Sequence, residues 1–416
     1  MGGGLLQLVA YGAQDVYLTG NPQITFFKVA YRRHTNFALE AIQQTFNGNP
    51  TYGSRVTCQI SRNGDLIHRV YLEVTLSDIS DAGPQYYRNF GLRLLNYVEV
   101  EIGGQRIDRH YSHWLYVWNE LSLPLSKRRG YNEMVGAYGF KNINKTLYIP
   151  LEFWFCRNVG LALPLIALQY HEVKININFE TLANCVSNPS VAASFSASLW
   201  VDYIYLDTDE RRRFAQLSHE YLIEQLQFTG QEAITGTSIK PKLSFNHPCK
   251  ELVFFISNNT GNNWFNYTTK ANATWNNVET YESLRYKLSQ TNFDFTSNNT
   301  TPSNPIKNAK LVLNGNDRFY ERPGRYFNII QPYQHHENIP ANAGINVYSF
   351  SLKPEEHQPS GSLNMSRIDT AVLNLNFEEP TGVTTYDATK NNLYVYAVNY
   401  NVLRILSGMG GLAYSN

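Results

Sequence analysis

The sequence lacks a charge excess, a cysteine framework and a long hydrophobic run. Its net charge is only +1 over 416 residues, whereas a protein that coats nucleic acid needs a basic face to neutralise phosphates. The longest apolar run, VGLALPLIAL at 159–168, is too short to cross a bilayer, and the N-terminus lacks the basic segment of a signal peptide. We therefore expect a soluble product of the cytosol.

Cysteine is scarce, and its spacing excludes the common metal and redox motifs. The chain has no CxxC pair and no histidine at metal-ligand spacing from a cysteine. We expect all four cysteines to be reduced and buried, at Cys58, Cys156, Cys185 and Cys249.

Two short basic runs occur, Lys127–Arg129 and Arg211–Arg213. Runs of this length are typical of solvated loops, so we interpret both as loops rather than as phosphate sites.

None of the usual catalytic patterns occurs. The chain has no GxSxG motif and no P-loop, and HEVKI at 171–175 lacks the second histidine of a zinc protease. His335 and His336 precede Glu337 without a further ligand at useful spacing, so we expect them to face solvent. The sequence predicts no catalytic residue, no metal and no cofactor, and therefore no enzyme.

Strand-forming aromatic residues are abundant instead. The chain contains 29 tyrosines and 22 phenylalanines, and only 17% of its residues are charged, a composition that favours β-structure. Short strands between turn signals, without alternating helices, favour antiparallel β-sandwiches. The clearest helical stretch is HWLYVWNEL at 113–121, which we place in a long loop decorating the first sandwich.

One strand pattern occurs twice. HEVKININF at 171–179 and DTAVLNLNF at 369–377 alternate apolar and polar residues, and each carries two asparagines, at an offset of 374 − 176 = 198. Upstream of each, a strand enters a tight turn, Gly103-Gly104 in one copy and Asn314-Gly315 in the other. Landmarks repeated in the same order predict duplication of a whole domain.

The two copies should meet in a charged stretch near residue 215, ERRRFAQLSHEY. We therefore predict an N-terminal arm at 1–25, a first domain at 26–215 and a second domain at 216–416. The second domain ends in a tail whose SGMGG, at 407–411, opens no helix, so we expect this tail to be flexible.

Residues 257–308 differ from the rest of the chain. Thirteen of these 52 residues are asparagine, which is typical of polar, exposed loops. Three aromatic residues in the same segment, Trp264, Tyr267 and Trp275, are candidates for stacking on a sugar. A tandem lectin-like, carbohydrate-binding β-sandwich is therefore one alternative function.

Several long stretches, in order along nearly the whole chain, resemble the major capsid proteins of nucleocytoplasmic large DNA viruses of the chlorovirus type. They include GAQDVYLTG at 12–20, VEIGGQRIDRHY at 100–111, GLALPLIALQYHEVK at 160–174, VDYIYLDTDERRRFAQL at 201–217 and NYNVLRILSGMGGLAY at 399–414.

The resemblance implies an all-β double jelly roll, two tandem eight-stranded antiparallel sandwiches with loop insertions and short helices. It also implies a homotrimer whose six rolls form a pseudo-hexagonal capsomer of an icosahedral virion shell, assembled in the host cytoplasm. The implied partners are neighbouring capsomers and the minor capsid and penton proteins. An internal membrane would be contacted only indirectly, and nucleic acid not at all.

Capsid proteins of this branch carry N-linked glycans on outward loops, at sites that do not generally follow the N-x-S/T rule. The resemblance therefore makes Asn258, Asn266, Asn272 and Asn298 candidate glycosylation sites. A minor or penton-type jelly-roll capsid protein is a further alternative, although a penton protein usually needs only one roll. We also expect the N-terminal arm to dock on the inner side of the shell.

Overall fold

The computed structural model describes residues 3–79, 85–137, 145–190, 192–259, 261, 264–268, 304–378 and 391–414. The chain divides into two compact units, Met1–Phe37 and Ala38–Asn416. The smaller unit contains helices α1 (Gly3–Val9) and α2 (Val16–Thr19). Its apolar side chains are largely exposed, as at Tyr17 and Phe27.

Two antiparallel sheets form the first sandwich. Sheet I has the strand order β1-β9-β3-β6, with β7 beside β3, and sheet II has the order β2-β8-β4-β5. The strands are β1 (Phe37–Gln44), β2 (Arg55–Gln59), β3 (Leu66–Leu76), β4 (Leu95–Ile102), β5 (Gln105–Tyr111), β6 (Thr146–Pro150), β7 (Leu163–Pro164), β8 (Val173–Phe179) and β9 (Phe195–Leu206).

The second sandwich repeats this arrangement. Sheet III has the order β10-β21-β14-β18, and sheet IV has the order β12-β20-β15-β16, with shorter strands beside them. The strands are β10 (His219–Phe228), β11 (Glu232–Ala233), β12 (Ser238–Ile239), β13 (Lys242–Leu243), β14 (Pro248–Ser257), β15 (Ile306–Leu313), β16 (Asn316–Asp317), β17 (Arg322–Pro323), β18 (Asn346–Ser349), β19 (Leu363–Asn364), β20 (Ala371–Phe377), β21 (Asn392–Leu406) and β22 (Met409–Leu412).

The main strands of the two sandwiches pair in the same order, as the repeated sequence pattern predicts. β3 pairs with β9, β6 and β7, and β14 pairs in the same way with β21, β18 and β19. Both central strands carry a bulge near their start, between Ile67 and Val70 in β3 and between Cys249 and Glu251 in β14. Within the described residues, every strand pairs inside its own sandwich.

The repeated strand behaves as its alternation predicts. In β8 the apolar residues Val173, Ile175, Ile177 and Phe179 are buried in the core. Asn176 is also buried, and it accepts a hydrogen bond from Thr57 at 2.7 Å. Asparagine is tolerated in this strand because a cross-strand partner satisfies its amide.

Helices connect or cap the strands. The predicted helix is present as α4 (Ser112–Ser122). Its apolar residues Trp114, Val117, Trp118 and Leu121 are buried, and the helix packs into the main core rather than decorating a loop. Among the described residues, the larger unit also has α3 (Phe90–Leu94), α5 (Leu125–Val135), α6 (Trp154–Arg157), α7 (Leu182–Cys185), α8 (Thr208–Gln216), a π-helix (Tyr326–Ile330) and α9 (Gln331–His335), with short 3-10 helices at Val159–Leu161, Leu165–Ala167 and Met365–Arg367. No helix in the described ranges is long and apolar enough to span a bilayer.

Sheet III is buried on both faces. Alternate residues of β14 point to different cores: Leu252 and Phe254 join the core of the second sandwich, whereas Val253 and Phe255 join the core of the first. The near-continuous apolar run ELVFFI is the sequence signal of such a strand.

The two basic runs lie in helices rather than in loops, although five of their six side chains are exposed to solvent as expected. Lys127–Arg129 lies in α5, where Arg128 is buried and pairs with Glu120 at 3.2 Å. Arg211–Arg213 lies in α8, and Arg211 pairs with the buried Asp65 at 3.0 Å. Each run contributes a fixed ion pair because a carboxylate from a neighbouring segment faces it.

The expectation of a flexible glycine-rich tail is also wrong. Residues of SGMGG form a hairpin in which β22 pairs with the end of β21. Ser407 and Gly408 supply the positive φ angles, 52° and 81°, that this tight turn requires.

Candidate assembly site

The contact between the two sandwiches is largely buried. The end of β5 and the start of α4, residues 107–118, lie over the outer face of sheet III; we call this segment the first cap. Ring centroids of Tyr111 and Phe228 lie 5.0 Å apart, and those of Trp114 and Tyr396 lie 5.7 Å apart. Aromatic pairs at these distances add to the stabilisation from buried area.

Polar groups fix the register of this contact. The backbone N–H of Leu226 donates to Asp108 Oδ1 at 3.0 Å, and the Gln225 side chain donates to the Ile107 carbonyl. These polar groups of the edge strand β10 therefore form hydrogen bonds with the first sandwich rather than with water.

An ion cluster lies beside it. Glu224 Oε2 is 3.0 Å from Arg157 Nη1 of the first sandwich, and Glu224 Oε1 is 2.6 Å from Lys250 Nζ. The Lys250 side chain is fully buried, so Glu224 is needed to compensate its charge.

A buried histidine attaches the segment after β14 to the first sandwich. His113 Nε2 donates to Asn259 Oδ1 at 2.8 Å, and its Nδ1 accepts from the Tyr267 hydroxyl at 2.8 Å. Burial lowers the pKa of His113 to about 4. The hydrogen bond that His113 donates to Asn259 acts in the opposite direction, and the positive charge of Arg93 lowers the pKa further. The imidazole is therefore neutral at pH 7.

Arg93 makes the second attachment. Its guanidinium lies 4.2 Å from the Tyr87 ring and 4.7 Å from the Trp264 ring, and it donates to the Gly261 carbonyl at 2.6 Å. Burial lowers the pKa of Arg93 to about 10, so the guanidinium stays charged in its aromatic surroundings.

These contacts correct the lectin alternative. Trp264 is only 7% exposed and Tyr267 is fully buried, so neither ring is available to stack on a sugar. Trp275 lies outside the described residues. Residues 264–268 therefore pack in the core and do not form the exposed polar loop that the asparagine-rich composition of 257–308 predicts.

Two of the four candidate glycosylation sites lie in the described part of the chain. Asn258 directly follows β14 and is half-buried. Asn266 is also half-buried, and its Oδ1 accepts from both N and Oγ1 of Thr268. Asn272 and Asn298 lie outside the described residues.

The prediction that His336 faces solvent is wrong. Its side chain is fully buried, with Nε2 2.8 Å from Glu251 and Nδ1 2.7 Å from Glu355. Burial alone would lower the pKa of His336, but the two carboxylates outweigh it and raise the pKa to about 9. Across the described residues, no three His, Cys, Asp or Glu side chains form a group that could hold a metal ion.

The cysteines are free thiols. Three are buried and Cys156 is half-buried, and burial raises the pKa of Cys58 to about 12. Protonated thiols are weak nucleophiles, so this geometry does not favour cysteine chemistry.

The C-terminal hairpin reaches the first sandwich. The Gly410 N–H donates to His171 Nδ1 at 3.1 Å, the Tyr170 N–H donates to the Gly408 carbonyl at 2.9 Å, and the Leu412 N–H donates to Gln105 Oε1 at 3.1 Å. The last strand therefore ties the second sandwich to the first.

Two family models match the chain. One, described as the major capsid protein N-terminus, matches residues 25–207, and the other, described as the large eukaryotic DNA virus major capsid protein, matches residues 210–411. A major capsid protein of Pyramimonas orientalis virus is 54% identical, and that of Paramecium bursaria Chlorella virus 1 is 47% identical, each over 100% of both chains.

Solved structures agree. A chain of the quasi-atomic PBCV-1 virus capsid superposes with a TM-score of 0.79 at 40% identity, covering 94% of this chain and 100% of that one. The Faustovirus major capsid protein superposes with a TM-score of 0.72 at 13% identity, covering 95% of this chain and 94% of that one, which shows the fold. The two matching sandwiches are thus the two halves of a double jelly roll, and the chain belongs to the major capsid protein family of the large eukaryotic DNA viruses.

Proposed function

We propose that this major capsid protein builds its shell as a homotrimer, in which six similar sandwiches form a pseudo-hexagonal capsomer. The observation that supports this most is the matched topology of the two sandwiches, sheet I with sheet III and sheet II with sheet IV. A sixfold lattice position can be filled by three chains if each chain supplies two similar wedges.

The native mass tests the proposal. Light scattering on the purified chain should give about three times 47.6 kDa, near 143 kDa, plus any glycan. A monomer at micromolar concentration would contradict the capsomer. Negative-stain images of the same sample should then show hexagonal outlines.

Capsid shells require further contacts. Neighbouring capsid subunits are partners of any major capsid protein. We propose minor capsid and penton proteins as further partners. The internal membrane would be contacted only indirectly, and nucleic acid would not be contacted. Contacts between capsomers should be smaller and more polar than those within the trimer. Assembly would take place in the host cytoplasm, and the chain would have no enzymatic activity.

The domain limits proposed are an arm at 1–25, a first roll at 26–215 and a second roll at 216–416. The gap between the two matching family models, at residues 208–209, and the separate strand pairing support a boundary near α8. For the arm we propose docking on the inner side of the shell; a chain lacking residues 1–24 that still assembled normal shells would contradict this.

N-linked glycans are proposed at Asn258, Asn266, Asn272 and Asn298. Intact-mass and peptide mapping of virion-derived protein would test each site separately. A sugar-binding function is not favoured, because Trp264 and Tyr267 are buried.

A further inference from the structure

We infer that a cavity at the junction of the two rolls binds a small tetrahedral oxyanion of the phosphate class. The cavity has a volume of ≈ 390 Å³ and lies beside the Arg157–Glu224 pair. The inference goes beyond the capsomer proposal and does not depend on it, because the site is built within a single chain.

Both rolls contribute walls to this cavity. From the first roll come residues near the start of β3 and residues of the segment 154–161. From the second roll come a residue of β10 and residues of the segment 355–357, which lies between β18 and β19. A molecule bound in the cavity would therefore touch both rolls.

The carboxylates of the lining already have cationic partners. Glu224 pairs with Arg157 at 3.0 Å and with the buried Lys250 at 2.6 Å. Glu355 shares His336 with a second, buried carboxylate, and the raised pKa of His336, about 9, keeps this imidazole protonated at pH 7. The three carboxylates and the three cations of these pairs balance one another.

Arg69 adds a positive charge that these pairs do not balance. Its side chain is exposed and lines the cavity, and across the described ranges it forms no ion pair. Glu152 lies in the adjoining cleft with Arg69 and Arg157, but burial raises its pKa to about 7 against the opposing charges of Arg157 and Arg69. A carboxyl group that is partly protonated at pH 7 compensates only part of the excess charge.

Two buried polar atoms of the lining lack a hydrogen-bond partner among the described residues, Arg157 Nε of the first roll and His357 Nδ1 of the second. Buried polar groups in folded proteins nearly always have a partner. The Arg157 guanidinium can only donate, so its missing partner is an acceptor. Water could accept this bond, but it would not compensate the excess positive charge.

A further donor is available at His68. Its Nδ1 donates to the Phe155 carbonyl at 2.7 Å, which leaves Nε2 for another bond. A nearby anion favours the protonated imidazole, in which Nε2 donates as well.

A tetrahedral oxyanion matches this set of groups. Guanidinium groups pair with phosphate oxygens through parallel, charge-assisted hydrogen bonds. Because the donors belong to two walls, the acceptor needs oxygens that point in several directions. A tetrahedral anion has such oxygens, whereas a planar carboxylate presents both of its oxygens on one side.

The size of the cavity also suits this ligand. A water molecule occupies about 30 Å³ in the liquid, so ≈ 390 Å³ holds a single phosphate together with several waters. Such waters can bridge the anion to groups that it does not reach directly.

A bound anion would stabilise the contact between the rolls. Arg69 and Arg157 belong to the first roll and His357 to the second, so the complete site exists only while the two rolls are docked. A ligand that binds only this arrangement stabilises it by mass action.

Calorimetric titration of the full-length protein with inorganic phosphate tests the site. Ionic strength is held constant with chloride, so that general screening does not change. We expect saturable binding of one phosphate per chain and a thermal midpoint that rises with phosphate concentration. No saturable binding would overturn the inference, since water alone would then satisfy the buried donors.

Two variants locate the bound anion. Arg69→Gln breaks no ion pair, so the variant should fold normally, and it should weaken phosphate binding about tenfold or more through the loss of a hydrogen bond between charged groups. His357→Gln should weaken binding from the other wall. Arg212→Gln is the matched control, because it removes the same charge from an exposed position outside the cavity. Equal affinities of Arg69→Gln and Arg212→Gln would overturn the site.

Vesicles distinguish two sources of this phosphate chemistry. Phosphatidylcholine vesicles are prepared with and without phosphatidic acid and floated with the protein. Flotation that needs phosphatidic acid and is lost in Arg69→Gln would assign the site to a lipid headgroup, whereas phosphate binding without flotation would assign it to a free anion. Binding of neither probe would overturn the inference.

Discussion

Arg157 of the first jelly roll and Glu224 of the second form an ion pair, with Nη1 and Oε2 3.0 Å apart and both side chains largely buried. The same carboxylate pairs with the buried Lys250. Removing one member of a buried ion cluster leaves an uncompensated buried charge. This destabilises the fold strongly, whereas replacing the whole cluster by well-packed apolar residues is often neutral.

Glu224→Gln should therefore destabilise the chain strongly. We expect a loss of about 3–5 kcal/mol in the free energy of unfolding, measured by urea titration. Glu220→Gln is the control on the same strand, since its pair with Arg404 is exposed at both ends and should contribute about 0–1 kcal/mol. Equal effects of the two substitutions would contradict a special role for the buried cluster.

His336 should make stability fall at alkaline pH. Glu251 and Glu355 raise the folded-state pKa of His336 to about 9, against a burial effect in the opposite direction, from an ordinary value of 6.5. The protonated form is the one that the fold favours, so its contribution is complete below pH 6.5 and is lost as pH rises through 9. The shift corresponds to about 3 kcal/mol.

Urea midpoints measured from pH 6 to pH 10 test this expectation. The wild-type midpoint should fall over that range, and His336→Gln should lower stability at pH 6.5 and flatten the slope. A wild-type profile that is as flat as that of the variant would show that His336 is neutral in the fold.

The sequence predicts the repeated elements well but not the buried polar groups. The alternation in β8 and β20 is local, so it identifies both strands and their buried faces. The burial of His336 depends on Glu251 in β14 and on Glu355, both distant along the chain. From local composition such a histidine is predicted to lie in a polar loop, because the residues that pair with it come close only in the folded chain.

Contacts with distant residues also explain why the tail and the asparagine-rich segment were predicted wrongly from the sequence. SGMGG has few apolar side chains, but its backbone groups bond to Tyr170 and His171 of the other roll. Trp264 lies among asparagines, but its ring packs against Arg93 from α3. The near-continuous apolar run of β14 is the local sequence signal that sheet III is covered on both faces.

His113 should produce the opposite pH dependence. Burial holds the folded-state pKa of His113 at about 4, below its ordinary 6.5. The neutral form is favoured, so this contribution is complete above pH 6.5 and is lost as pH falls towards 4. The shift corresponds to about 3 kcal/mol.

Hydrogen exchange between pH 4 and pH 7 would localise this effect. Because His113 holds Asn259 and Tyr267, amides of residues 257–259 and 264–268 should lose protection on acidification, after correction for intrinsic exchange, before those of β3 do. His113→Gln should lower protection at pH 7 and reduce the further loss in acid. Uniform loss across both rolls would instead indicate global acid unfolding.

Deleting the C-terminal hairpin should weaken the contact between the rolls. Removal of residues 408–416 takes away the backbone bonds from Gly408, Gly410 and Leu412 to the first roll. At about 1 kcal/mol for each bond, the loss of these contacts alone should lower the free energy of unfolding by about 3 kcal/mol, measured by urea titration, and the loss of the β21–β22 pairing adds to it. Met409→Ser is the matched control: Met409 is 51% exposed, so its substitution should change stability by no more than about 0.5 kcal/mol. A truncation with no larger effect than the control would contradict a stabilising role for the hairpin. The first cap and the Arg157–Glu224 pair would then hold the two rolls together without it.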